Sequence, residues 1–162
     1  MIGYVLLVSF AIVMGVIVYN WMKTYVPTDT VECPDGVSVF IREIQCDTIV
    51  GGLDYSLSLN LTNNGRFDVD GFYVRVTSTP EQKLATIDIS KKIVSGGSAP
   101  GNFVQLTQKL SPGDKASFRF SPIKETYSVE VIPMMFREVE GKIRLASCSD
   151  AKVKEIVECS EQ

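Results

Sequence analysis

The chain has 162 residues, with 16 Lys and Arg against 19 Asp and Glu and a net charge of −3. That balance supplies no basic footprint for nucleic acid, and the lack of any histidine excludes Ser-His and Cys-His catalysis and zinc sites built on imidazole. The four cysteines all lie beyond residue 26 and point to an oxidising compartment.

Residues 1–26 are the most distinctive stretch. No charged side chain precedes Lys23. At ~1.5 Å rise per residue the run makes a helix ~30 Å long, the thickness of a bilayer's hydrocarbon core. Its apolar residues fall on all sides, so every face must meet lipid or other apolar protein. The helix should stop at Pro27, because the residue before a proline is pushed out of the helical region. Tyr19, Trp21 and Tyr25 supply the aromatic flank of a membrane anchor. A cleaved secretory signal would have a basic start, a shorter apolar core and a small-residue cleavage site, and this stretch has none of them. Gly3, Ser9, Ala11 and Gly15 are small enough to admit a neighbouring helix closely. Only Ala11 and Gly15 share a stripe, and such residues are also common in spanning helices generally. Asn20, the one strongly polar group, lies near the helix end, where it meets the membrane surface or bonds a neighbouring helix.

Residues 27–36 read as a linker, broken by Pro27, Pro34 and Asp35-Gly36. A strand follows over 37–45, with Val37, Val39 and Ile41 on one face. Leu53 to Thr62 alternates most cleanly, setting Leu53, Tyr55, Leu57, Leu59 and Leu61 against polar partners. Asn63-Asn64-Gly65 turns the chain into a strand over 71–77. Residues 84–89 are a weak strand and 95–101 a surface loop by composition. Strands over 103–110 and 115–120 are joined by Ser111-Pro-Gly-Asp114, suited to a type II turn. A strand over 127–132 stops at Pro133, and a last strand covers 138–147. For residues 151–159 the periodicity leaves helix and strand open.

About seven short strands with turns between them predict one domain over 37–162, an antiparallel two-sheet sandwich, so the chain is mainly β with one long N-terminal helix. Its acidic residues, Glu138 and Glu140 included, read as solvated faces. A Ca²⁺ site from Asn63, Asn64, Asp68 and Asp70 departs from the spacing of a defined calcium loop. Ser95-Gly-Gly-Ser98 lacks the lysine of a phosphate-binding loop. No cofactor is expected. Asn60-Leu-Thr62 is an N-glycosylation sequon on the outward positions of its strand.

The stretch from Leu57 to Val76 with its Asn-x-Gly turn, and Leu110-Ser-Pro-Gly113 before a late strand, resemble the immunoglobulin-like modules of archaeal surface proteins. Joined to an uncharged N-terminal helix, the chain resembles an archaeal type IV pilin or archaellin. Precursors in that family carry a short basic leader cut before the apolar helix, whereas no basic residue precedes Lys23 here. Bacterial pilins carry a glutamate where this chain has Val5, so registration would rest on packing alone.

The resemblance implies a structural subunit of an extracellular filament. The helix, residues 1–26, would sit in the membrane and then pack with copies of itself in a homopolymer core. The β domain would face outward, toward surfaces or other cells. The alternative is a membrane-anchored surface domain that binds a partner without polymerising. An anchored hydrolase is disfavoured, with no histidine and no recognisable activated nucleophile. The cysteines allow three pairings. A straight strand of ~30 Å after Cys33 keeps it from Cys46, since bridged Cα atoms lie within ~7 Å. In an immunoglobulin-like sandwich the first and last strands lie side by side and parallel. With 138–147 as the last strand, that expectation pairs Cys46 with Cys148 and Cys33 with Cys159.

Overall fold

The computed structural model of this chain describes residues 2–25, 31–49, 51, 54–139 and 141–159. They fall into two compact units, residues 1–30 and 31–162. Pro27, the expected helix stop, and residues 27–30 of the expected linker lie outside the described residues, as do Leu53 and Glu140.

The first unit is one helix, α1 (Ile2–Tyr25). The described side chains from Gly3 to Lys23 are all exposed within the chain. Ser9 donates its hydroxyl to the Val5 carbonyl at 2.8 Å, so its polarity is absorbed inside the helix. The Lys23 ammonium stands 5.4 Å from the centre of the Tyr19 ring, a cation–π contact in the last turns.

The second unit consists of β1 (Val39–Thr48), β2 (Tyr55–Asn63), β3 (Val69–Thr77), β4 (Ile87–Asp88), β5 (Ile93–Ser95), β6 (Gly97–Ser98), β7 (Val104–Leu110), β8 (Lys115–Ile123), β9 (Thr126–Val139), β10 (Lys142–Ser147) and β11 (Val153–Cys159). One sheet has the order β1-β2-β8-β5. The other has the order β10-β9-β3-β7-β6, with β11 also on β9 and β4 on β3. Every pairing is antiparallel. Among the long strands, β1-β2-β8 stands against β3-β9-β11, an order that parallels the A-B-E and C-F-G sheets of immunoglobulin sandwiches. Strands β4 to β7 are inserted between.

The core follows the period-two alternation. Leu57, Leu59 and Leu61 of β2 are buried on one side with Phe118 and Phe120 of β8, and Phe72, Val74 and Val76 of β3 on the other with Val129 and Val131 of β9. Phe72 and Phe118 meet edge to face across the two sheets, ring centres 4.7 Å apart. Each such side chain contributes about 1.5–3 kcal/mol by leaving water.

On both sides of the sandwich the two sheets are joined. On one side β1 lies beside β11. On the other, one length of chain passes between sheets: β5 pairs with β8, Gly96 turns, and β6 pairs with β7. Gly96 has φ +96°, and a Cβ there would stand 2.5 Å from both the Phe118 ring and the Ser117 carbonyl.

Several expected element bounds change. Pro133 does not stop a strand; it lies inside β9. A strand residue's N–H and C=O point to the same edge. The Pro133 carbonyl accepts the Cys148 N–H at 2.9 Å, so its missing N–H faces the interruption between β10 and β11. No ladder bond is lost there. The break falls instead at Gly141, with φ +73°, which ends the hairpin of β9 and β10. The expected last strand over 138–147 therefore divides between two strands. The undecided stretch 151–159 supplies the true last one, β11. Of residues 84–89 only Ile87–Asp88 pairs, and the expected loop 95–101 contains β6. The Ser111–Asp114 turn forms as expected, with the Asp114 N–H on the Ser111 carbonyl at 2.9 Å and Gly113 at φ +89°.

Replacing Gly96 by alanine should destabilise the β unit by about 2–3 kcal/mol, from backbone strain plus overpacking against Phe118. A lowered urea midpoint at unchanged slope would verify this, and an unchanged midpoint would show that the crossing tolerates a side chain.

Candidate functional site: the apolar helix and the stapled edge

Residues Gly3–Lys23 of α1 are long and apolar enough to cross a membrane, with mean hydropathy 2.2. The four small residues occupy two separate places. Gly3 and Ser9 lie around a shallow apolar depression with Leu6, Leu7, Phe10 and Val13. Ala11 and Gly15 share another stripe, four residues apart. A Cβ added at Gly3 or Gly15 would meet nothing within 4 Å in its own chain. These glycines therefore have no packing role inside one molecule.

The disulfides correct the expected pairing. Cys33 is bonded to Cys148 and Cys46 to Cys159, with Cα separations of 5.1 and 5.7 Å. Cys46–Cys148 and Cys33–Cys159 do not form. First and last strands do run side by side and parallel, but the last strand is β11, not 138–147. Cys148 precedes β11 as Cys33 precedes β1, while Cys159 and Cys46 lie at or near the far ends of the same strands. Like ends are joined. The two bridges tie the outer strand of one sheet to an outer strand of the other. Each closes more than 110 residues, with sequence separations of 115 and 113. The chain-entropy estimate for such a loop is ~4–5 kcal/mol, on a model-dependent scale.

Asn60 lies mid-strand on the outward side of β2, between buried Leu59 and Leu61. Its Nδ2 donates to Glu43 Oε2 at 3.1 Å across a bulge in β1. Thr62, the third residue of the sequon, is buried.

Of the four oxygen-bearing residues expected to be candidates for Ca²⁺, Asn63 and Asp70 are engaged within the protein. Asn63 is fully buried and holds the turn: its Nδ2 donates to the carbonyls of Phe67 and Leu110 at 2.8 and 2.7 Å, and its Oδ1 accepts the Gly65 N–H at 2.8 Å. Asp70 accepts the Phe136 N–H at 2.7 Å and pairs with Lys109 at 3.0 Å. Among the described residues no three His, Cys, Asp or Glu side chains are grouped to hold a metal. The Asn-x-Gly spacing revealed a turn, but Asn63 as its internal brace is set by Leu110, 47 residues away. The role of Asp70 is equally distant in sequence, since its partner amide belongs to Phe136. Glu130, buried on β9 and paired with Lys152 at 3.5 Å, has no local signal either.

Asp70 caps β9 where its pairing with β3 ends. Beyond Met134 the strand no longer pairs with β3, and the carboxylate takes the first unpaired amide. Its hydrogen bond and charge hold the Lys109 ammonium above the usual lysine range. A raised lysine pKa stabilises the fold fully below the ordinary value of ~10.4 and loses that contribution as pH climbs through the folded value. With the Lys109 side chain 63% exposed, the contribution is small. Asp70→Ala should therefore speed hydrogen exchange of the Phe136 amide about tenfold or more, since a hydrogen bond to a charged group is worth about 1.5–3 kcal/mol. Lys109→Ala should leave that amide nearly unchanged. Equal effects of the two variants would assign the role to the ion pair.

The chain matches no protein-family model, no curated protein and no solved structure.

Proposed function

We propose that this protein is a structural subunit of an extracellular filament of the archaeal type IV pilin or archaellin type, working by assembly and not by catalysis. The observation that carries the reading is α1: apolar on every face, placed at the N-terminal side of a disulfide-closed β domain. Leu6, Leu7, Phe10 and Trp21 are each more than 60% exposed within the chain. Exposure of so many large apolar side chains to water is untenable, so lipid or protein must cover all sides.

The helix waits in the bilayer, where its internal hydrogen bonds satisfy the backbone. It then exchanges lipid for neighbouring helices in a growing bundle. Both surroundings are apolar, so the exchange costs little hydrophobic energy, and close packing with lipid entropy drives it. Small residues on two faces suit a helix with several neighbours. The β domain forms the outer shell, in contact with surfaces or other cells.

Electron microscopy of material sheared from cells expressing the chain, with mass spectrometry of that fraction, tests the reading. Filaments built mainly of this chain are expected. A chain found only as single copies in the membrane fraction would replace the polymer with an anchored surface domain. Gly15→Leu sharpens the test, because a Cβ at this position meets nothing within 4 Å in its own chain. Membrane insertion should persist while filament yield falls at least about tenfold, the equivalent of ~1.4 kcal/mol of lost packing per contact. Undiminished filaments would remove Gly15 from the packing surface.

A further inference from the structure

The position of the Cys33–Cys148 bridge assigns a mechanical role to it: we propose that it is a force-bearing lock that carries tension from the N-terminal tether past β1 to the junction of β10 and β11 in the second sheet. This rests on the anchored-helix reading, under which load on the β domain is transmitted through the residues before Val31.

The argument begins with where the tether joins. The β unit starts at Val31, and two residues later Cys33 is covalently bonded. The next elements along the chain are weak against a pull. The lead-in is held by backbone bonds from Asn64 and Gly65 N–H to the Ser38 carbonyl and from Arg66 N–H to the Gly36 carbonyl. Then comes β1, which pairs only with β2, starting at Val39 opposite Asn63. Load arriving at the end of an outer strand opens its ladder one pair at a time. Each pair alone is weak, with a net hydrogen bond worth only ~0.5–1.5 kcal/mol.

The bridge avoids that sequence of events. Cys148 lies between β10 and β11, both paired along β9, and its own N–H is bonded to the Pro133 carbonyl. Strand β9 is in turn paired with β3 over Gly71–Thr77. Tension therefore reaches β10 and β11 together, so two ladders on β9 share a load that would otherwise fall on the β1 ladder alone. Cys46–Cys159 does a different job. It secures the far end of β1 to the last strand and lies outside the load path while Cys33–Cys148 is intact. The two bridges are thus unequal: only the first guards against a pull on the tether.

Single-molecule force spectroscopy on the full chain in detergent separates the two. One handle is placed at the N-terminus and one on a peptide tag inserted after Lys83, in an exposed loop of the β unit. In the C33S/C148S variant a first, low-force step should release residues 33–46 and stop at Cys46, adding at most about 5 nm of contour at ~3.6 Å per residue. Wild type and C46S/C159S should lack that step. An early step in wild type, or its absence from C33S/C148S, overturns the proposal. Should C33S/C148S fail to fold, dithiothreitol is added to folded wild-type molecules held below their rupture force. Release of the lead-in and β1 as the first event supports the lock, and loss of the whole domain in one step refutes it. Single chains suffice, so a failure to form filaments leaves this result intact.

Discussion

The covalent pairing of like ends on β1 and β11 is the constraint on which the β unit depends. Residues 33–46 and 148–159 form a closed ring through two disulfides, and the chain between Cys46 and Cys148 is a loop held by it. The consequence is architectural as much as energetic. A sandwich of two sheets is weakest where the outer strands of each sheet part, because no ladder bonds join them. Here that opening is bolted at both ends. The opposite opening is spanned by the chain itself at Gly96. Two different devices, one covalent and one topological, thereby close a core of modest size.

The interruption at Cys148 shows how closely sequence and topology are matched. A continuous strand from Lys142 to Cys159 would give β9 an unbroken partner but would require an N–H at Pro133. Instead the chain leaves the ladder after Ser147, makes a short 3-10 turn over Ser149–Ala151, and resumes at Val153. The proline and the cysteine occupy the same gap, linked by the Cys148 N–H to Pro133 carbonyl bond. The gap costs no ladder bond and gives the disulfide room to reach Cys33.

Much of this was legible from the residues. The apolar helix, the alternation of Leu57, Leu59 and Leu61, the Asn63–Gly65 and Ser111–Asp114 turns and the antiparallel class all follow from local periodicity and turn chemistry. The corrected last strand and the corrected disulfide pairing share one origin. A proline's cost is local, whereas the tolerance of Pro133 depends on Cys148, 15 residues further on, in the gap between two strands. Reading Pro133 as a stop moved the last strand to 138–147 and carried the disulfide pairing with it, although the rule that first and last strands lie parallel was sound. Asn63 and Asp70 likewise acquire their roles from Leu110, Phe136 and Lys109, none of them near in sequence.

The division of chemistry between the two units bears on function. In the β unit most polar side chains drawn inward find partners within the protein: Thr77 with Ser128 at 2.7 Å, Glu130 with Lys152, Asp70 with the Phe136 amide, Asn63 with three backbone groups, while the buried Thr62 hydroxyl has none among the described residues. Such groups fix strand register and turn geometry, and in these contacts they are turned toward the protein and not toward a ligand. In α1 the balance is reversed, with apolar side chains facing outward and the Ser9 hydroxyl folded back onto its own helix. On the filament reading proposed above, a helix left uncovered in the single chain would gain its packing from other copies. Among the described residues the largest unmet demand is for apolar contact along α1.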